Sequence, residues 1–139
     1  SLIDGIRLCS AERDTFKHMD MKHLRKKLEL HKDKNRRLIV TDGVFSMDGD
    51  IAPLDEICDA ADAYDAMVMV DDAHGVGVLG DEGRGTCNHF GLTDEVHLIM
   101  GTFSKSLASV GGFIASDTDT IHYIQHIARA LMFSASMPP

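Results

Sequence analysis

Met67-Val68-Met69-Val70-Asp71-Asp72-Ala73-His74 is the stretch that decides how this chain folds. A strand with one wet face would alternate apolar and polar residues. Four successive apolar residues instead read as a strand buried on both faces, the pattern of a parallel sheet covered on each side. The run stops at two carboxylates, with a histidine three residues after Asp71. Leu38-Ile39-Val40-Thr41 repeats the arrangement, followed by Asp42, Gly43 and, further on, Ser46. So does the run at 97–100, followed by Thr102, Ser104 and Lys105. Gly111-Gly112-Phe113-Ile114-Ala115 reads as a fourth strand, and a last short one is expected to begin at Met132-Phe133.

Helices are expected between these strands. Residues 20–32 carry Met21, Leu24, Leu28 and Leu30 near helical spacing, with Asp20 as N-cap. Pro53 opens a second helix with Leu54, Ile57, Ala61 and Tyr64 on one face. Asp117 caps a third, running to about Arg129, with Ile121, Ile124 and Ile127 on its apolar face. The alternation predicts an α/β fold, a mainly parallel sheet with helices on both faces. Ligands in such sheets collect beyond the carboxyl ends of the strands. Three apolar strands each deliver polar groups to that rim, and their convergence says more than any single residue.

Lys105 stands apart. The other six lysines all lie between Lys17 and Lys34, whereas Lys105 follows Leu98-Ile99-Met100 among small and hydroxylic residues. An amine held away from water can have its pKa lowered and can then form a Schiff base with a carbonyl. A lysine here can equally cap a strand end or pair with a carboxylate. Asp71, directly after Val70, is expected near the buried strand end and to need a cationic partner there. A pyridinium nitrogen would serve; so would an ordinary salt bridge or an N-cap role. His74 alone fits a loop histidine as well as a catalytic one.

Several function classes are excluded. The net charge of −8 argues against nucleic acid or an anionic membrane surface as the main partner. Nine of the fourteen Lys and Arg fall between Lys17 and Arg37, a stretch that reads as one exposed basic helix face or else a partner patch. Three scattered cysteines, Cys9, Cys58 and Cys87, indicate neither a disulfide framework nor a zinc site, and fit a reduced, cytoplasmic setting. No HExxH or repeated Cys/His spacing supports a catalytic metal. No apolar run reaches the length of a membrane span. Gly75-Val76-Gly77-Val78-Leu79-Gly80 matches a dinucleotide fingerprint, but it begins four residues beyond the strand. Loop-forming Asp81-Glu82-Gly83-Arg84-Gly85 follows where a helix would be needed. No glycine stands immediately before Lys105, so a nucleotide P-loop is excluded too.

Taken together, Val70-Asp71-Asp72-Ala73-His74-Gly75, Gly83-Arg84-Gly85, and Gly101-Thr102-Phe103-Ser104-Lys105 through Gly111-Gly112 resemble the α-oxoamine synthases, which are fold-type-I pyridoxal-phosphate enzymes. The blocks Thr41-Asp42-Gly43-Val44-Phe45-Ser46-Met47-Asp48-Gly49 and Phe133-Ser134-Ala135-Ser136-Met137-Pro138-Pro139 resemble two further parts of that family. The resemblance covers essentially the whole chain, in order and at compatible spacing.

It implies decarboxylative condensation of an amino acid with an acyl-CoA on pyridoxal 5'-phosphate. Lys105 matches the Schiff-base lysine, and Asp71 the aspartate paired with the pyridine nitrogen. His74 and Ser46 match groups near the cofactor's phenolic oxygen, and Thr102 a phosphate contact. Ser134 matches the serine that reaches the neighbouring subunit's phosphate, which implies a homodimer with a shared site.

The chain opens as though already inside a helix and stops at Met137-Pro138-Pro139 without a polar tail, so residues 1–139 are expected to be part of the cofactor-binding large domain, continuing at both ends. The family's stacking histidine and glycine-rich phosphate loop would lie upstream, and its carboxylate-binding arginine downstream. The blocks at 101–106 and 110–113 look most like members that join serine to a long-chain thioester. Those at 71–75 and 133–139 look also like members that make 8-amino-7-oxononanoate. Glycine with acetyl-CoA is a third possibility. A non-catalytic, dimerising remnant is the reading from a different class, and retention of Lys105, Asp71 and His74 together speaks against it.

Overall fold

The computed structural model describes residues 2–136. Its elements are α1 (Leu2–Leu8), α2 (Met21–Leu30), β1 (Leu38–Asp42), α3 (Leu54–Ala63), β2 (Met67–Asp71), α4 (Thr86–His89), β3 (Leu98–Thr102), β4 (Gly112–Ala115), α5 (Thr118–Ile127) and α6 (Arg129–Met132). The strands lie side by side in chain order, β1-β2-β3-β4. The first three are parallel and β4 returns antiparallel to β3. That geometry puts the carboxyl ends of β1, β2 and β3 along one edge of the sheet.

Local chemistry explains the helix starts. Asp20 accepts a hydrogen bond from the His23 N–H at 2.9 Å, and Asp117 one from the Thr120 N–H at 2.9 Å. Each satisfies one of the amide groups that a first helical turn leaves without a partner. Met21, Leu24 and Leu28 of α2 are buried, while its lysines and arginine face outward. Part of that basic face is neutralised locally, Lys27 pairing with Asp14 at 2.9 Å, and just beyond the helix Lys34 pairs with Glu12 at 2.7 Å.

The core lies between the sheet and α3. Leu54, Ile57, Cys58, Ala60 and Ala61 pack with Ile39, Val68 and Val70, and Leu54, Val68 and Val70 are sealed completely. Ile57 is 1% exposed, so Ile57→Ala removes buried methyl groups from a site with little room to collapse. A loss of about 2–5 kcal/mol of stability is expected, read as a lower denaturant midpoint at unchanged slope in the full-length protein.

The sheet's two faces are not equally covered. Ile39, Thr41, Val68 and Val70 are buried, whereas the alternate positions of β1 and β2 are half-buried or exposed, Leu38 most of all at 52%. Helix α5 ends at Ile127 rather than Arg129 and buries no residue, so the face with Ile121, Ile124 and Ile127 is not packed into the core as expected. The strand expected from Met132-Phe133 is also absent from the described residues: Met132 closes α6, whose Met132 and Phe133 N–H groups donate to the carbonyls of Ala128 and Arg129. Arg129, Ala130, Leu131 and Met132 are strong helix formers, and among the described residues no strand offers this segment a ladder. Residues 137–139 of that block lie outside the described residues.

Candidate active site

The strand-end rim is assembled by register. Asp42 of β1 stands opposite Asp71 of β2, and Asp71 opposite Met100 of β3. Side chains in register share a face, so the two carboxylates lie side by side. Asp71 is half-buried, and its Oδ1 accepts the Ala73 N–H at 3.1 Å, turning the chain toward His74. Burial and the Asp71 charge push the Asp42 carboxyl above the ordinary carboxylate range; His74 and Lys105 partly offset this. All four groups therefore act on one small region. Asp42 was legible as a rim residue, but its placement against Asp71 depends on the β1–β2 register.

Lys105 reaches the same region from the loop after β3. Its Nζ lies 2.7 Å from His74 Nε2. When the ammonium donates, the imidazole must be neutral with its proton on Nδ1. The lysine is exposed, not held away from water as its apolar approach suggests, because nothing among the described residues covers the run 104–110. The fingerprint-like stretch at 75–80 has a different use here. It is a run of turns, and the Ser106 hydroxyl donates to the Val76 carbonyl at 2.6 Å, tying the lysine loop to the histidine loop.

Thr102 closes β3 and contributes a hydroxyl 2.8 Å from the Ser104 hydroxyl and 3.1 Å from the Gly111 carbonyl oxygen. Beside it runs an open groove of about 610 Å³, lined by Met100, Phe113, Ile114 and Leu131 among others. Ser46 sits exposed in the turn after β1, and the Ser134 hydroxyl, just past α6, donates to the Ala130 carbonyl of that helix. Among the described residues, neither serine hydrogen-bonds Lys105, His74, Asp71 or Thr102. The structure thus brings Lys105 and His74 into contact and sets Asp71 and Thr102 on the same rim, while Ser46 and Ser134 stay outside that network. Thiol chemistry has no place in it: burial pushes Cys58 up to about 11 and Cys87 up to about 12, far from the thiolate form at neutral pH.

The rim can hold a carbonyl compound on an amine, a cationic ring nitrogen on a carboxylate, and an anionic group on hydroxyls. Comparison with known proteins points the same way. The family described as Aminotransferase class I and II matches residues 1–139. A serine palmitoyltransferase of Sphingobacterium spiritivorum is 58% identical over all 139 residues, which cover 35% of that protein. An 8-amino-7-oxononanoate synthase of Thermosipho melanesiensis is 53% identical over the same span, 36% of its length. Among solved structures, a Sphingomonas wittichii serine palmitoyltransferase superposes with a TM-score of 0.94 at 39% identity, covering 99% of this chain and 35% of that one. A structure of SPT with a PLP internal aldimine superposes with a TM-score of 0.93, also at 39% identity, with coverage of 99% and 35%. The chain spans about a third of the length of the curated relatives it matches.

Proposed function

The chain belongs to the class I and II aminotransferase family and, within it, to the α-oxoamine synthases, and on that premise we propose that the whole protein joins an amino acid to an acyl-CoA with loss of carbon dioxide, using pyridoxal 5'-phosphate. The observation that carries the reading is the 2.7 Å contact between Lys105 Nζ and His74 Nε2, on the rim that also bears Asp71. Residues 1–139 would form part of the cofactor-binding large domain, with the remainder of the site supplied by other parts of the protein.

When bound, pyridoxal phosphate supplies an electron-accepting ring for the negative charge that develops at the amino acid's Cα. The residues present fit it. Lys105 would hold its aldehyde carbon through Nζ, and Asp71 would keep a proton on its ring nitrogen. His74 would orient the group by hydrogen bonding at the phenolic oxygen, with Ser46 brought to the same oxygen. The Thr102 hydroxyl would bind the phosphate, and Ser134 would reach the phosphate of a second copy. Lys105 would also move the Cα proton of the substrate, because the amino acid frees Nζ as it takes the lysine's place. A homodimer and a reduced cytoplasmic location complete the proposal. All three cysteines are free, and no described helix is long and apolar enough to cross a membrane.

The blocks at 101–106 and 110–113, with the 58% identity to a serine palmitoyltransferase, favour serine and a long-chain thioester. The 53% identity to an 8-amino-7-oxononanoate synthase supports alanine with pimeloyl-CoA as the second reading. The test offers the full-length protein serine, alanine and glycine against palmitoyl-, pimeloyl- and acetyl-CoA, and measures free thiol and carbon dioxide. Release of both with serine and palmitoyl-CoA is expected. Release only with alanine and pimeloyl-CoA would assign biotin synthesis, and only with glycine and acetyl-CoA, threonine breakdown. Transamination without thiol release would sink the acyltransferase reading.

A further inference from the structure

We propose that Asp72 is a positioning residue: its buried carboxylate, bound by Thr86 and crowded by three glycines from the connections that follow β1 and β2, sets where Asp71 and His74 stand on the rim. The proposal rests on the functional reading of Asp71 and His74 given above. Asp72 is 0% exposed. Its Oδ2 accepts the Thr86 N–H at 2.8 Å and its Oδ1 the Thr86 hydroxyl at 2.5 Å. No cation pairs with it among the described residues. A buried carboxylate without a cation is costly, so its place must be maintained by those donors and by packing.

The packing is unusually close. A Cβ on Gly75 would lie 2.0 Å from Asp72 Oδ1, and one on Gly85 would lie 2.0 Å from Oδ2. One on Gly43, in the loop after β1, would lie 2.7 Å from Oδ1. Both ends of the β2–α4 connection and the loop after β1 therefore converge on a single side chain. The backbone repeats the connection. The Gly43 N–H donates to the Asp71 carbonyl, the Asp72 N–H to the Met100 carbonyl of β3, and the Gly75 and Val76 N–H groups to the Asp72 carbonyl. Asp71 precedes this knot by one residue, and His74 is enclosed between Asp72 and Gly75. Neither can shift without moving a segment that the carboxylate fixes. Burial also pushes the Asp72 carboxyl above its usual range, against the pull of the two Thr86 hydrogen bonds.

The test compares Asp72→Ala, Asp72→Asn and Thr86→Val in the full-length protein by two readouts. One is affinity for pyridoxal phosphate with the absorbance maximum of the lysine-bound cofactor. The other, in cofactor-free protein, is the rate at which diethyl pyrocarbonate modifies His74, relative to the exposed His122 and His126 of α5. Asp72→Ala should weaken cofactor affinity by about tenfold or more and change the relative His74 rate by about threefold or more. Asp72→Asn keeps the shape and an acceptor for the Thr86 N–H, so it should restore both readouts to near the parent values. Thr86→Val should fall between. A purely structural carboxylate predicts lower stability with an unchanged His74 rate, and that result in Asp72→Ala would overturn the proposal. So would an Asp72→Asn protein as impaired as Asp72→Ala. If Asp72→Ala does not fold, an unaltered His74 rate in Thr86→Val decides against it. A parent protein that takes up no cofactor, while its His74 rate still responds to Asp72, would refute the functional reading and leave the positioning role standing.

Discussion

Borohydride reduction of the cofactor-loaded, full-length protein should place the pyridoxyl label on Lys105, and Lys105→Ala should lower turnover by at least about 10³-fold. General-base catalysis alone contributes about 10²–10⁴, and this lysine would also hold the cofactor. Three of the six competing amines are engaged by carboxylates. Lys32 and Lys34 lie beside Glu29 and Glu12, and hydrogen bonding to those carboxylates holds both ammonium groups above the ordinary lysine range. Lys27 is paired with Asp14. An amine stabilised as its ammonium is a poor nucleophile at neutral pH. Lys105 instead contacts the His74 imidazole, and no carboxylate pairs with it among the described residues. Peptide mapping decides: a label on any lysine between Lys17 and Lys34 rejects the assignment, as does near-normal turnover in Lys105→Ala.

Much of the rim was readable because strand ends are written in composition. Apolar runs that stop at Thr41, Val70 and Met100 locate β1, β2 and β3 closely, since each strand continues by only one or two residues into the polar group that follows. Asp20 and Asp117 were readable as caps because their chemistry is local. What was not readable depends on neighbours. Residues 129–132 have helical propensity, and only a pairing strand would override it; none pairs with them among the described residues, and α6 forms. The apolar stripe of α5 follows helical spacing whether or not something covers it. Lys105 sits in apolar sequence but on an open loop, because burial is set by what lies above the rim and not by the residues before it in the chain. Asp71 and Asp72 were separable in sequence only by alternation along the strand end, which says that they point apart but not what Asp72 meets. The close approach of Thr86 and the complete burial of Asp72 show that its carboxylate faces the interior.

That division sets the second large effect. Asp71→Asn should preserve the fold and lower turnover by roughly 10²-fold or more, because a preorganised charge at a developing electronic centre is worth a few kcal/mol. An amide of the same shape can still accept the Ala73 N–H, so the turn toward His74 survives; what disappears is the anion that would hold a proton on the ring nitrogen. Asp72→Asn should cost far less. Its carboxylate serves Thr86 through two hydrogen bonds, and an asparagine can accept the Thr86 N–H while donating to the hydroxyl. Asp42 supplies an internal check on the first variant. The Asp71 charge helps to raise the Asp42 carboxyl, so removing it should bring Asp42 back toward the ordinary carboxylate range, which carbon-detected titration of that side chain would report. Equal losses of turnover in Asp71→Asn and Asp72→Asn would undo the distinction between them. A full loss in Asp71→Asn with no downward movement of Asp42 would show that the two carboxylates do not share the rim in the working protein.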